Sequence, residues 1–282
     1  MSPFNRFVRI KVRLKHAKIL LQNVEHPVIA LLTIFVKRPP FSLSLKSGKK
    51  ITGLKNREQF ISEIMKDRLS TNGSDLYIYE FGGRKYKITG FNSMATIFST
   101  FVYEDWSDLS VSGKVVLDIG GYVGDTAIYF VAHGAQKVLV YEAFPWSSKI
   151  ATENINANNL SDKIEIINNA VGPDDSIVRI DPNLENRNDS SVVASETGID
   201  VPTVTLGTIV KRHKIDNWSL KMNCEGCEYA VFENTEIGIL RKFSDIKMHY
   251  HGPSLPLVKK LKDAGFVVRI DEYIMATKRV EN

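Results

Sequence analysis

Four sets of residues in this 282-residue chain have types and spacings that can do chemistry. Asp118 is followed by Gly120, Gly121 and Gly124 in the stretch DIGGYVGDTAIYF. Glycines crowded in this way let the backbone approach a ligand closely, and the free N–H groups of a helix opening at Asp125 and Thr126 can receive it. An acidic residue two places before the glycines suits a cationic ligand group. Glu142, two dozen residues further on, sits in VYEAFP, where a carboxylate can accept from both hydroxyls of a ribose. The run LKMNCEGCEYA sets Lys221, Asn223 and Glu225 at alternate positions, with Glu228 past the turn. Polar side chains ending an apolar strand cost burial free energy unless they are paired or used. His249, Tyr250 and His251 close another apolar run, and an imidazole there can serve as a general base near neutral pH or as a hydrogen-bonded structural group.

These residues need an α/β frame to bring them together. Val115 to Leu117 is an unbroken apolar run, as expected of a strand buried on both faces, and a helical segment follows the glycines and ends at His133-Gly134. Lys137 to Ala143 reads as a second strand, Lys163 to Val171 as a third, Leu220 to Gly226 as a fourth and Phe243 to His251 as a fifth. Asn169 and Ala170 fall near the end of the third. Leu255 to Phe266 reads as a helix stopped by Gly265, and Val267–Asp271 with Tyr273–Lys278 as a closing antiparallel pair. Ligands in open sheets of this kind bind beyond the carboxyl ends of the strands, where the strand order reverses. Leu184 to Ile199 is polar and reads as a loop, either a lid over the site or a spacer.

The first 110 residues are organised differently. Arg6, Arg9, Lys11, Arg13, Lys15, His16 and Lys18 interleave with Val8, Ile10, Val12 and Leu14, a pattern read here as a basic, amphipathic helical segment over residues 1–40 that Pro39-Pro40 closes. It can touch an anionic membrane through residues 6–18, or form a solvated face with its apolar side packed on the protein. From 41 to about 110 a small α+β cap is expected. FSLSLKSGKKITGL and LYIYEFGGRKYKI alternate as hairpins, and residues 57–69 have helical spacing. Tyr103 to Trp106 leads into the α/β part, and either the site or the core can take it.

Composition bounds the rest. Hydrophobic residues make up 43% and charged residues 24%, enough for a sizeable core, and the net charge of +5 permits an anionic partner without requiring one. The apolar run Val28 to Val36 is too short to cross a bilayer, so a cytoplasmic protein, at most peripheral at a membrane, is expected. Two cysteines, Cys224 and Cys227, do not make a disulfide framework of the secreted kind, and a zinc site would need two further ligands. They read as small apolar residues beside Glu225.

The turn D-x-G-G-x-x-G resembles motif I of S-adenosylmethionine-dependent methyltransferases. Together with VYEAFP, NNAVG and VPTVTL followed by LKMNCEGCEYAVFEN, it resembles the FkbM family of methyltransferases over roughly Val102 to His251. The resemblance implies a Rossmann-like class I sheet over residues 111–282, in the order 3-2-1-4-5-7-6, with S-adenosylmethionine as cofactor. It implies O-methylation of a sugar or natural-product hydroxyl. Asp118, Gly120, Gly121, Gly124, Asp125, Thr126, Glu142, Asn169 and Ala170 would hold the cofactor. Lys221, Glu225 and His251 would act in catalysis, with Asn223 and Glu228 facing the acceptor. The family has Asp where this chain has Asn223, which cannot take a proton; if that Asp is the base, another group must serve here, with Glu225 and His251 as the candidates, and no metal is expected. The rival readings are an RNA methyltransferase, though no recognition module is visible, and a binder that keeps the cofactor fold without turnover. Adjacent glycines argue against a dinucleotide dehydrogenase.

Overall fold

A computed structural model describes residues 21, 23–26, 41–54, 59, 63, 69–71, 75–90, 94–181 and 198–278. The basic stretch 6–18, Pro39-Pro40, nearly all of 57–69 and most of 184–199 lie outside the described residues. No helix among the described residues is long and apolar enough to cross a membrane.

The alternating segments form the hairpins their pattern predicts. β1 (Phe41–Ser44) pairs antiparallel with β2 (Lys50–Leu54), and Leu43, Leu45, Ile51 and Leu54 turn inward. β3 (Leu69–Thr71), β4 (Leu76–Phe81) and β5 (Arg84–Thr89) make a second antiparallel sheet, with Gly82-Gly83 at the β4–β5 tip. Period-two alternation puts Tyr77, Tyr79, Tyr86 and Ile88 on one buried face. That face meets helix α1 (Met94–Phe101), where the rings of Tyr79 and Phe101 lie 4.6 Å apart.

The chain then alternates: β6 (Val115–Ile119), α2 (Asp125–Ala132), β7 (Lys137–Tyr141), α3 (Pro145–Ala157) and β8 (Ile164–Ile167). Three short strands follow, β9 (Ala170–Val171), β10 (Ser176–Ile180) and β11 (Ile199–Val204). Next come α4 (Leu206–His213), β12 (Trp218–Met222), α5 (Cys227–Asn234), α6 (Ile237–Leu240) and β13 (Phe243–His249). Helix α7 (Ser254–Asp263) and the pair β14 (Phe266–Ile270) and β15 (Tyr273–Lys278) end the described chain. The main sheet has seven strands in the order β8-β7-β6-β12-β13-β15-β14, parallel except for β15. Numbered along this half of the chain, that order is 3-2-1-4-5-7-6. It reverses between β6 and β12, which opens a crevice at their carboxyl ends.

Both faces of the sheet are covered, which is why its strands read as apolar runs. Val116, Val138 and Val140 point into one core with α2, α3 and the N-terminal strands; Leu117, Leu139 and Tyr141 point into the other with α4, α5 and α7. Each such side chain contributes about 1.5–3 kcal/mol relative to leaving it in water. The asparagines of α3 close the N-terminal sheet. Asn158 Oδ1 accepts from Lys87 N–H and Asn154 Oδ1 from Thr89 N–H, both at 2.8 Å, while their amides donate to the same two residues' carbonyls. The edge of β5 is thereby satisfied without another strand.

The expected third strand, Lys163 to Val171, is broken. β8 ends at Ile167, and the Asn168 amide donates to the carbonyls of Glu142 and Ala143 at 2.9 and 3.0 Å. β9 leaves the main sheet and pairs with β11, which also pairs with β10. The fifth strand stops at His249, two residues short of the expected end.

Candidate active site

The β6–α2 turn is wedged between two strands. Gly120 sits at φ +77°, and a Cβ there would lie 1.9 Å from the Asn223 carbonyl oxygen. At Gly121 it would lie 2.0 Å from Val140 Cγ1. Gly120 N–H donates to Tyr141 O and Asn223 N–H to Ile119 O, both at 2.9 Å, so the tips of β7, β6 and β12 are tied together.

Asp118 is fully buried, and the register of β6 on β12 places it directly opposite Lys221. Lys221 Nζ lies 2.7 Å from Asp118 Oδ1 and donates to Gly120 O at 2.6 Å; Thr126 Oγ1 donates to Asp118 Oδ2 at 2.5 Å. The cation that Asp118 answers is therefore Lys221, not a ligand group, and Asp118 does not line the cavity. Lys221 is itself 2% exposed and stacks under the Trp106 ring, 5.3 Å from its centre. Charges held this way in a dry interior position the turn. Gly121 and Gly124 likewise shape the wall without facing the cavity.

A cavity of about 940 Å³ opens above these tips, at the upper end of the range for small-molecule sites. One end is walled by Gly120, Asp125, Thr126, Glu142, Asn169 and Ala170. Glu142 accepts from Tyr122 N–H at 2.7 Å and Phe144 N–H at 2.9 Å. Burial nevertheless pushes its carboxyl up to about 7. Burial also raises Asp125 to about 6, although Thr100 Oγ1 donates to it at 2.5 Å. Both carboxylates keep acceptor capacity toward the cavity.

The other end is walled by Asn223, Glu225, His249, Trp106, Tyr103 and Tyr273. Glu225 adopts φ +55°, a strained backbone for a residue with a side chain, and Gly226 caps α5 behind it. His251 stands outside the cavity wall. Its Nε2 donates to Glu225 Oε2 at 3.0 Å and its Nδ1 to Glu228 Oε1 at 3.1 Å. Those two hydrogen bonds, to Glu225 first and then Glu228, raise its pKa to about 10, so it is an imidazolium with no lone pair for a base. Glu228 is fully buried beneath it and does not reach the cavity. His249 does line the cavity. Burial, with the nearby charge of His251, holds it below its ordinary value, and its Nδ1–H donates to Asn223 Oδ1 at 3.2 Å. Of the two histidines, the neutral one facing the cavity is His249, which motif reasoning passed over. The signal was the shared parity of Lys247 and His249 along β13, but their partners follow from the register on β12.

Cys224 and Cys227 are bonded to each other, Cα atoms 5.5 Å apart, across the Glu225-Gly226 turn. Expected as two small apolar residues, they form instead a covalent clasp at the cavity wall, because the left-handed residues 225 and 226 fold the four-residue segment back on itself.

The profile of the Methyltransferase FkbM domain matches residues 118–268, more than half of the chain. The chain thus belongs to the FkbM methyltransferase family. A ribosomal protein L11 methyltransferase of Carboxydothermus hydrogenoformans is 44% identical over 57 residues, 20% of this chain. The chain spans about a fifth (19%) of that relative's length. The solved FkbM methyltransferase of Methylobacillus flagellatus is 14% identical, with a TM-score of 0.43 over 64% of this chain and 47% of that one. TrmK of M. capricolum, solved with S-adenosyl-homocysteine, is 14% identical, with a TM-score of 0.38 over 59% and 62%.

Proposed function

We propose that the protein transfers the methyl group of S-adenosylmethionine to a hydroxyl of a sugar, glycan or natural product. One observation carries the reading: a single cavity runs from Glu142 and Asn169 at one end to Glu225, His249 and Trp106 at the other. The cofactor's ribose hydroxyls donate to Glu142, with the adenine against Asn169 and Ala170. Gly120, between the two ends, would leave room for the sulfonium, which would supply the methyl group to an acceptor beside Glu225. Tyr273, whose ring packs edge-on against the buried Trp106 at 5.1 Å, lines this end, while Asn223 and Glu225 meet the acceptor's hydroxyls.

The transfer is an in-line displacement, so alignment of the acceptor oxygen with the methyl carbon supplies much of the rate. The oxygen forms a bond to carbon as the carbon–sulfur bond breaks, leaving S-adenosylhomocysteine. The hydroxyl proton leaves toward the Glu225–His249 end of the cavity. Lys221 and His251, both already ion-paired, position the walls rather than receive that proton.

The test is transfer from methyl-labelled cofactor to a panel of sugars, glycans, RNA and protein, followed by mild alkali. Label on a carbohydrate that survives alkali, as a methyl ether does, supports the reading. Label confined to RNA or protein, or lost in alkali as from an ester, overturns it.

A further inference from the structure

Asn223, just past the end of β12, cannot take a proton, but the fold brings two imidazoles beside it. Glu225, His249 and His251 each place one donor atom such that all three lie within 4.8 Å of one another. The geometry points to a divalent transition-metal site formed by Glu225, His249 and His251. Two imidazoles and one carboxylate suit Zn²⁺, Co²⁺ or Fe²⁺ rather than Mg²⁺, which prefers an all-oxygen shell.

Three observations support it. First, Glu225 Oε2 and His251 Nε2 are 3.0 Å apart. Two ligands about 2.1 Å from one ion subtend an angle of about 90° at that separation. Second, each imidazole has its Nδ1 held by an oxygen that is not one of the three ligands, Asn223 Oδ1 for His249 and Glu228 Oε1 for His251. Such outer contacts fix ring orientation and leave the other nitrogen for the ion. For His251, an imidazolium when no ion is bound, Nε2 releases its proton to solvent as the ion takes the place of that proton between the ring and Glu225. Third, Glu225 and Glu228 bring two carboxylates to the cluster, and Glu228 Oε2 is buried with no hydrogen-bond partner among the described residues. A cation balances that charge. The Glu225 and His251 side chains are each 22% exposed, which leaves a path for the ion.

Three protein ligands leave a position open. If the cavity is the transfer site proposed above, an acceptor hydroxyl can take that position; coordination acidifies it, its proton passes to solvent, and its oxygen attacks the methyl carbon. Ion binding itself does not depend on that reading.

The test is titration of the full-length protein with Co²⁺ and Zn²⁺, followed by calorimetry and by the visible absorption of bound Co²⁺. No reductant is added, so the Cys224–Cys227 bond stays closed and offers no thiolate. One equivalent is expected to bind, with His249→Ala and Glu225→Gln each losing at least about tenfold in affinity, and Glu228→Gln on the order of 10–100-fold as an outer partner. His133→Ala, whose ring bonds the Tyr129 carbonyl elsewhere, should change nothing. Absence of binding, or binding that survives His249→Ala and Glu225→Gln, overturns the site and leaves an ion-paired cluster. Calorimetry with S-adenosylmethionine on the same samples separates that failure from failure of the methyltransfer reading.

Discussion

In and beneath the Glu142 end of the cleft, Asp118, Asp125 and Glu142 are 0%, 1% and 5% exposed, and each is committed to a protein partner. At the acceptor end, Glu225 and His251 keep 22% of their side chains in solvent, and the carboxylates there outnumber the cations that meet them. The first end is built like a core, with charge locked by register and glycine fit, and any change there should register first as lost stability. The second is carried on a strained turn closed by a disulfide, and changes there should register as lost turnover. On the reading proposed above, the fixed end is the socket for the cofactor and the other end is a wall that can vary with the acceptor without unfolding the sheet.

Removing one member of the buried pair gives the largest expected effect. Lys221→Met leaves Asp118 charged and alone and should cost about 3–5 kcal/mol in denaturant unfolding. Replacing both, as Asp118→Leu with Lys221→Met, should recover much of it, and failure to recover would show that the pair does more than neutralise itself. Gly120→Ala comes next: the positive φ and the clash with the Asn223 carbonyl should cost about 2–3 kcal/mol and abolish cofactor binding.

Glu142→Gln should weaken S-adenosylmethionine on the order of 10–100-fold, the worth of hydrogen bonds to a charged group. Its pH dependence follows from the same burial. The folded pKa, about 7, lies above the ordinary 4.5, so this group's contribution to stability is full below 4.5 and lost as pH rises through 7. Ribose donors favour the ionised form, so cofactor affinity should rise with pH up to about 7 and then level. The slope should vanish in Glu142→Gln, and an unchanged slope would remove Glu142 from the ribose contact. The smallest effect on stability is expected at the other end: Glu225→Gln loses one of the two carboxylates that hold His251, a pair left partly in solvent, and should cost about 1 kcal/mol while turnover falls on the order of 10²–10⁴-fold.

Much of this frame was legible in the sequence, because it rests on local pattern. Alternation marked both hairpins, and apolar runs separated by helices marked the parallel strands. The partners within the site were less legible. Asp118 and Lys221 are 103 residues apart and meet only because β6 lies beside β12 in one register. His249 and Asn223 meet in the same way across β12 and β13. Spacing along one strand gives the side on which a residue points; the neighbour it finds there depends on pairing between strands. Asn154 and Asn158 become the edge partners of β5 only once helix α3 packs against it.

The most direct measurement is calorimetric titration of the protein with S-adenosylmethionine and S-adenosylhomocysteine, beside the Glu142→Ala variant. Micromolar binding of both to wild type, lost in a variant that still folds, is the expected result. Absence of binding to the folded wild-type protein, or equal binding to Glu142→Ala, would contradict the assignment of this cleft as the cofactor site.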